Sequence, residues 1–332
     1  LWVASTSTDK VTVSFSDLIA GHVWSGGTTG TLDTTRVWPN GADEVQALAA
    51  HNGFLFIFGK RQILVYQGAT TPSTMSLSDT VGGIGCLSRD SVQTTSADVI
   101  FLSNSGVRSL MRTIQEKSAP ERDLSKNVRN DLMGDVALQT LSTIKSVYSE
   151  REGFYLLTMP ANKAVYCFDT KVILQDGSSR VTTWDSIEPT SLAALRSGAV
   201  YIGKNGYIGS YTGYNDDTST YRMEYFTNHA DLGNQNQTSI LKKISTVVIG
   251  GSNYQSTTAN IPVQGVSEYG IAEYGANATV VAQYSDGVAL NTLRVSASGT
   301  GKVVQTGYES DINGSQLSIQ KIEIQAKNGK LS

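Results

Sequence analysis

The sequence predicts an all-β protein. Propeller-like repeated hairpin blades fill residues 1–214, with one short helical segment at about 123–144, and a second, sandwich-like β domain follows over 215–332. Three observations predict this. A hairpin unit recurs along the first two thirds of the chain at a nearly constant spacing. The hydrophobic pattern changes beyond a polar, turn-prone break at Asn215–Thr220. Charged residues are 17% of the 332, below the roughly 25% of an average soluble protein, while Gly, Ser, Thr and Tyr are plentiful. Such a balance suits many strands joined by many turns, with much surface buried between subunits.

The first unit is Leu1–Ala4, a polar turn ending at Lys10, and Val11–Phe15. A turn-rich connector over 18–42 carries Trp24, Gly26-Gly27, Trp38 and Pro39. The second unit lies in the stretch Asp43–Arg112 that organises the chain. There Phe54–Phe58 and Ile63–Tyr66 are short β-type runs separated by Gly59-Lys60-Arg61-Gln62, a hairpin by length and turn chemistry. The third is Val99–Leu102, the turn Ser103-Asn104-Ser105-Gly106, and Val107–Met111. Gly153–Met159, a turn at Pro160–Lys163 and Ala164–Asp169 make the fourth; Gly198–Gly203, the turn Lys204-Asn205-Gly206 and Tyr207–Tyr211 make the fifth. Starts at 1, 53, 98, 153 and 198 are spaced by 52, 45, 55 and 45 residues, close to the roughly 40 to 50 of a propeller blade. A single hairpin cannot bury both its faces, so repetition implies stacked neighbours. An ordinary sandwich, the plainer alternative, would bring its strands closer together in sequence.

Between the third and fourth units Leu124, Val128, Leu132 and Val136 fall at helical spacing, with Leu138, Leu141 and Ile144 behind them and Asp123 or Ser125 available as caps. The polar face holds Lys126, Arg129, Asn130 and Asp131, which reads as a solvated face. Past Thr220, Tyr221–Phe226, Ile240–Ile249, Thr279–Tyr284, Leu293–Ala297, Lys302–Tyr308 and Leu317–Ala326 read as separate strands. In the last, Leu317, Ile319, Ile322 and Ile324 alternate with polar residues except for one slip at Gln320-Lys321, the mark of a bulge.

The search for chemistry yields no catalytic, cofactor-binding or metal-binding residue, and the chain is not expected to be an enzyme. His22, His51 and His229 stand alone, with no partner at metal-ligand spacing. Gly82-Gly83-Ile84-Gly85 lacks the full dinucleotide spacing and the helix that should follow. Asp311-Ile312-Asn313-Gly314 matches the opening of a calcium loop, but the remaining ligands are missing and a β-turn accounts for it. Sequons occur at Asn236, Asn277 and Asn313, and the paired acids Asp43-Glu44 and Asp216-Asp217 flank turns as solvated carboxylates. Cys86 and Cys167 read as small reduced core residues, although nothing in the spacing forbids a disulfide. A net charge of -3 and a pI near 5.7 argue against holding nucleic acid on a basic surface. No run approaches the 18 or so apolar residues of a membrane-spanning helix. The first residue is Leu1 rather than Met, so an N-terminal part of a longer protein is expected to be absent.

The hairpin AHNGFLFIFGKRQILVYQ at 50–67, GIGCLSRDSV at 83–92, IFLSNSGVRSL at 100–110 and FTNHADLG at 226–233 carry a resemblance. In this order they resemble the tail nozzle, also called tail tubular protein B, of short-tailed bacteriophages, nearest its cyanophage-like branch. The likeness spans most of residues 1–250 and extends more thinly to the end. It rests on ordered succession, because none of these stretches is a catalytic signature. The family is usually longer at the N-terminus. The resemblance implies a structural virion protein, assembled in the bacterial host cytoplasm as a homo-hexameric ring below the portal and adaptor protein. Tail fibres are its neighbours, and double-stranded DNA passes through it without sequence-specific binding. A mildly acidic chain suits that role, since each phosphate neutralised by a basic lumen would add affinity and slow passage. Two rival readings differ in class. A carbohydrate-binding or glycan-degrading propeller would use Trp24, Trp38 and Trp184 as stacking platforms and, for hydrolysis, two carboxylates roughly 5 to 10 Å apart. A host-surface adhesin would use the Asn/Gln/Ser-rich loop at 252–265.

Overall fold

A computed structural model of the chain describes residues 1–4, 9–116, 123–185, 187–228, 237–251, 259–263, 278–282, 289–301, 305–312, 314 and 316–331. Among these residues every paired strand is antiparallel, and the only α-helices are two short ones in the first of two compact units. The units are residues 1–211 and 212–332, against a boundary placed at 214 from sequence.

The described residues of unit 1 form five sheets in chain order. The first is β1 (Trp2–Ala4), β2 (Thr12–Phe15) and β3 (Gly30–Asp33). The second is β4 (Val45–His51), β5 (Phe54–Gly59), β6 (Gln62–Gln67) and β7 (Ser76–Gly82). The third is β8 (Gln93–Thr94), β9 (Val99–Ser103) and β10 (Gly106–Ser109). The fourth is β11 (Ser146–Ser149), β12 (Phe154–Met159), β13 (Ala164–Ile173) and β14 (Ser179–Trp184). The fifth is β15 (Ser191–Ala194), β16 (Val200–Lys204) and β17 (Tyr207–Ser210). Within each sheet, strands adjacent in sequence are adjacent in space. Successive sheets are joined through their first strands: β1 lies beside β4, β4 beside β8, β8 beside β11 and β11 beside β15.

The apolar runs explain this stacking. Along a strand, alternate side chains point to opposite faces, so a run that is apolar at every position needs cover on both. In the second sheet Leu55, Ile57, Leu64 and Tyr66 join Val13 of the first sheet in one cluster. Their neighbours Phe56, Phe58, Ile63 and Val65 join Val99 and Phe101 of the third sheet in another. The Phe58 and Phe101 rings are tilted against each other at 5.0 Å. The fourth sheet repeats the division. Tyr155, Leu157, Met159, Tyr166 and Phe168 face Ile100, Leu102 and Val107 of the third, while Phe154, Leu156 and Val165 face Val200 of the fifth. Each such side chain contributes about 1.5–3 kcal/mol by leaving water.

Two sequence expectations are corrected here. The helical segment is shorter and broken. It consists of a 3-10 turn at Lys126–Val128, an α-helix at Arg129–Ala137 and a 3-10 turn at Leu141–Thr143. Leu132, Val136 and Ile144 are buried as expected, but Leu138 and Leu141 are exposed by 67% and 40%. Neither expected cap acts as one. Ser125 Oγ accepts from Val107 N and donates to Asp123, whose buried carboxylate pairs with Arg129. Second, the strand expected over Val107–Met111 ends at Ser109, and Leu110–Glu116 is a helix, labelled α1.

Among the described residues of unit 2 there are two sheets. One runs in the order β18 (Tyr221–Phe226), β23 (Gly307–Ile312), β20 (Ala259–Val263), β21 (Ala278–Ala282). The other has β19 (Gln237–Gly251) at its centre, between β22 (Ala289–Gly301) and β24 (Gln316–Leu331). Val247 pairs with Lys321 and Val248 with Ile319, so Gln320 is left over, and the slip in the alternation is a bulge. Leu241 and Ile244 of β19 pack on Ile322 and Ile324 of β24. Of the expected strands, positions 283–284 and 302–304 lie outside the described residues.

Candidate functional site

The turn between β5 and β6 borders a cleft of about 570 Å³, in which Asp43, Glu44, Lys60, Arg61, Asn104 and Leu141 take part. It forms because hairpin turns of adjacent sheets meet there. Asn104 comes from the β9–β10 turn, and Asp43 from the segment leading into β4. Read from sequence, Asp43 and Glu44 are solvated turn acids; the structure corrects this for Asp43, which is buried. One of its oxygens accepts from the backbone N–H of Glu44 at 2.8 Å and of Lys60 at 3.1 Å, and the other from that of Arg61 at 2.8 Å. The carboxylate thereby fixes the β5–β6 turn. Gly59 makes room for it, since a Cβ there would stand 2.5 Å from Asp43 Oδ2.

Glu44 bridges Lys60 at 2.9 Å and Lys10 at 3.2 Å. Hydrogen bonds from Lys60 and then Lys10 hold its carboxyl below the usual carboxylate range, so it is ionised at neutral pH. General acid catalysis needs a carboxyl held protonated near neutral pH, and a general base needs a carboxylate within reach of a substrate proton. Here one carboxylate is saturated by backbone donors and the other is shared between two ammonium groups. The cleft offers a mixed-charge rim but no acid–base pair.

The remaining sequence candidates are scattered. His22 is exposed; His51 is buried at the end of β4, with no hydrogen-bond partner for Nε2 among the described residues. His229 lies outside the described residues, as do Asn236, Asn277, Asn313 and most of the 252–265 loop. Among the described residues no group of three or more His, Cys, Asp or Glu is placed to hold a metal ion. Of the glycines at 82–85, Gly82 and Gly85 serve packing, while Gly83 has a positive φ of 80° and nothing near the place of a Cβ. A Cβ on Gly85 would lie 2.2 Å from the Lys60 carbonyl carbon, and Cys86 N donates to Gly59 O at 2.8 Å, so this backbone passes directly against the β5–β6 turn. Asp311 ends in β23, and Gly314 N donates to Tyr214 O in the passage from β23 to β24. Asp216 and Ser219 exchange backbone hydrogen bonds across a tight turn in which Asp217 and Thr218 have positive φ.

The tryptophans divide between core and surface. Trp38 is buried among Val13, Leu55 and Ile57. Trp184 stacks parallel to Tyr211 with ring centroids 5.9 Å apart, and Phe154 meets both edge-on. Trp24 is 43% exposed. Both cysteines are free. Burial pushes each thiol up to about 12, and Cys86 Sγ donates to Ser88 O, so neither is a poised nucleophile. The polar face of the helical segment is largely exposed, as expected, at Lys126, Asn130 and Asp131, with Lys126 also paired to Asp176 at 3.0 Å and Arg129 to Asp123. The cleft residues Lys60, Arg61 and Asn104 escaped the sequence search because their only mark is a place in a polar turn.

No family model matches, and no curated protein matches. Among solved structures, the AfRom2 CNH domain is similar at 13% identity, over 63% of this chain and 65% of that one, with a TM-score of 0.33. The chain thus spans just under two thirds of that structure, and a likeness this low carries no argument about fold or function.

Proposed function

We propose that this chain is the tail nozzle of a short-tailed phage, a non-enzymatic virion protein that rings the exit channel, retains packaged DNA and lets it pass during ejection. The observation that carries the reading is the stacking in unit 1. Five antiparallel sheets follow one another, each touching the next through its first strand and through an apolar cluster. That is how propeller blades stack around an axis, and the recurring hairpins of the sequence supply the blades. The two sheets of unit 2 are compatible with a sandwich-like domain. The ordered succession from the 50–67 hairpin through 83–92 to 100–110 supports the family. The cleft supports a structural role, because its carboxylates are spent on turn geometry and ion pairs. In this reading the copies number six and sit below the portal and adaptor, with tail fibres beside them. Retention of DNA is mechanical.

The test is genetic and physical. Particles assembled without this chain should fill their heads and then lose the genome, with portal and adaptor still in place. Particles that lack the chain yet keep their DNA and eject it normally would contradict the reading.

A further inference from the structure

Among the described residues, the three-stranded sheet of unit 2 has two long edges with no strand paired to them. β22 runs for 13 residues and β24 for 16, where a typical strand has about 5–6. Among the described residues neither has a partner on its outer side. Exposed edges are usually blunted by proline, lysine, bulges or shortness. β24 is partly guarded, by its bulge at Gln320 and by Lys321 and Lys327. β22 is guarded less: it has a bulge, where Ala297 and Ser298 stand opposite Lys242 of β19, but no proline and one charged residue, Arg294. At about 3.3 Å per residue it offers roughly 40 Å of unpaired backbone donors and acceptors.

An edge of that length calls for a partner of similar length. Among the described residues, the strands that long all belong to this one sheet, so a second copy of the chain supplies the match. Direction limits how copies join. β22 and β24 both run antiparallel to β19, and therefore parallel to each other. Rotation about an axis along the strands preserves strand direction, so a head-to-tail seam in a ring sets β24 of one copy parallel to β22 of the next. A two-fold seam would instead pair β24 with β24, or β22 with β22, antiparallel, and stop at two copies.

We infer that β22 of each copy pairs in parallel with β24 of its neighbour, extending one sheet across every subunit boundary. This deepens the ring reading above and rests on it. With three strands from each of six copies, 18 strands would close, in the range where barrels keep an aqueous lumen.

The experiment uses the full chain and two readouts, assembly mass and amide exchange along β22 and β24 as concentration rises. Successive residues of a strand direct their N–H groups to opposite sides. Of Val295→Pro and Ser296→Pro, one therefore breaks the ladder to β19 and the other blocks only the outer edge; far-UV circular dichroism tells which. Ile324→Pro and Gln325→Pro do the same on β24. The expected result is concentration-dependent protection of both outer edges, and loss of assembly to single copies in the variants that keep their fold. A ring that persists with either edge blocked, or forms without edge protection, overturns the seam while leaving the ring reading in place. Edge protection in an assembly that is not a ring keeps parallel pairing and removes the ring reading. A two-copy assembly joined through like edges, or no protection at any concentration, overturns the inference.

Discussion

The second and fifth sheets of unit 1 are built from similar hairpins and have different fates. In the second, β5 and β6 are buried almost end to end, because the first sheet covers one face and the third covers the other. In the fifth, Leu192 and Val200 face the fourth sheet, while Tyr201 and Ile208 on the opposite face are 38% and 78% exposed. A run of unbroken apolar residues thus means two covered faces, and a mixed run means one.

The largest effect should come from breaking the double cover. Phe58→Ala removes a fully buried ring against Phe101 and should cost about 3–5 kcal/mol. That lowers the thermal midpoint of unit 1 by roughly 10 °C in calorimetry. Ile208→Ala on the open face should stay within about 0.5 kcal/mol; equal losses at the two sites would erase the contrast. Next comes Gly85→Ala, which forces a methyl group into the backbone of the β5–β6 turn and should cost about 3 kcal/mol in denaturant unfolding. Asp43→Ala strands the N–H groups of Lys60 and Arg61, for about 1–3 kcal/mol. Faster amide exchange at those two residues, with β12 unaffected, would show that the loss is local.

The smallest effect concerns Cys86, fully buried in the seam between the second and third sheets. Its thiol is raised from 9.0 to about 12 by burial. A raised acid favours the folded state while it stays neutral. Stability linked to this thiol is therefore intact below pH 9 and declines as the pH climbs from there toward 12. At pH 8 an alkylating reagent should leave Cys86 unlabelled until the protein unfolds; labelling at the rate of a free thiol would show that the seam opens.

The same contrast explains what the sequence disclosed. The central strands β5, β6, β9, β12 and β13 were legible because cover on both faces leaves an apolar run. Flanking strands such as β3 (GTLD), β7 (SLSDTVG) and β15 (SLAA) carry no such mark. They are strands because a neighbour offers them a ladder, and pairing partners are not written in a local window. Helix α1 was mistaken for the end of a strand because Val107–Met111 is too short a window for period 2 to be told from period 3.6. In unit 2 the bulge at Gln320 was legible, because a single slip in strict alternation moves every later side chain to the other face. The cleft was illegible. Its rim is assembled by three turns distant in sequence, and Asp43 looks like any turn aspartate until its three backbone donors are in place.

The most direct test of the conduit is imaging of the full chain after mixing with a portal that carries its adaptor. The account predicts a six-fold ring with an open axial channel seated on the adaptor, whether or not the free chain is monomeric. A stable monomer that ignores the portal complex and instead binds a polysaccharide would contradict it, and would turn attention to the exposed Trp24 and the Trp184–Tyr211 pair as a sugar platform.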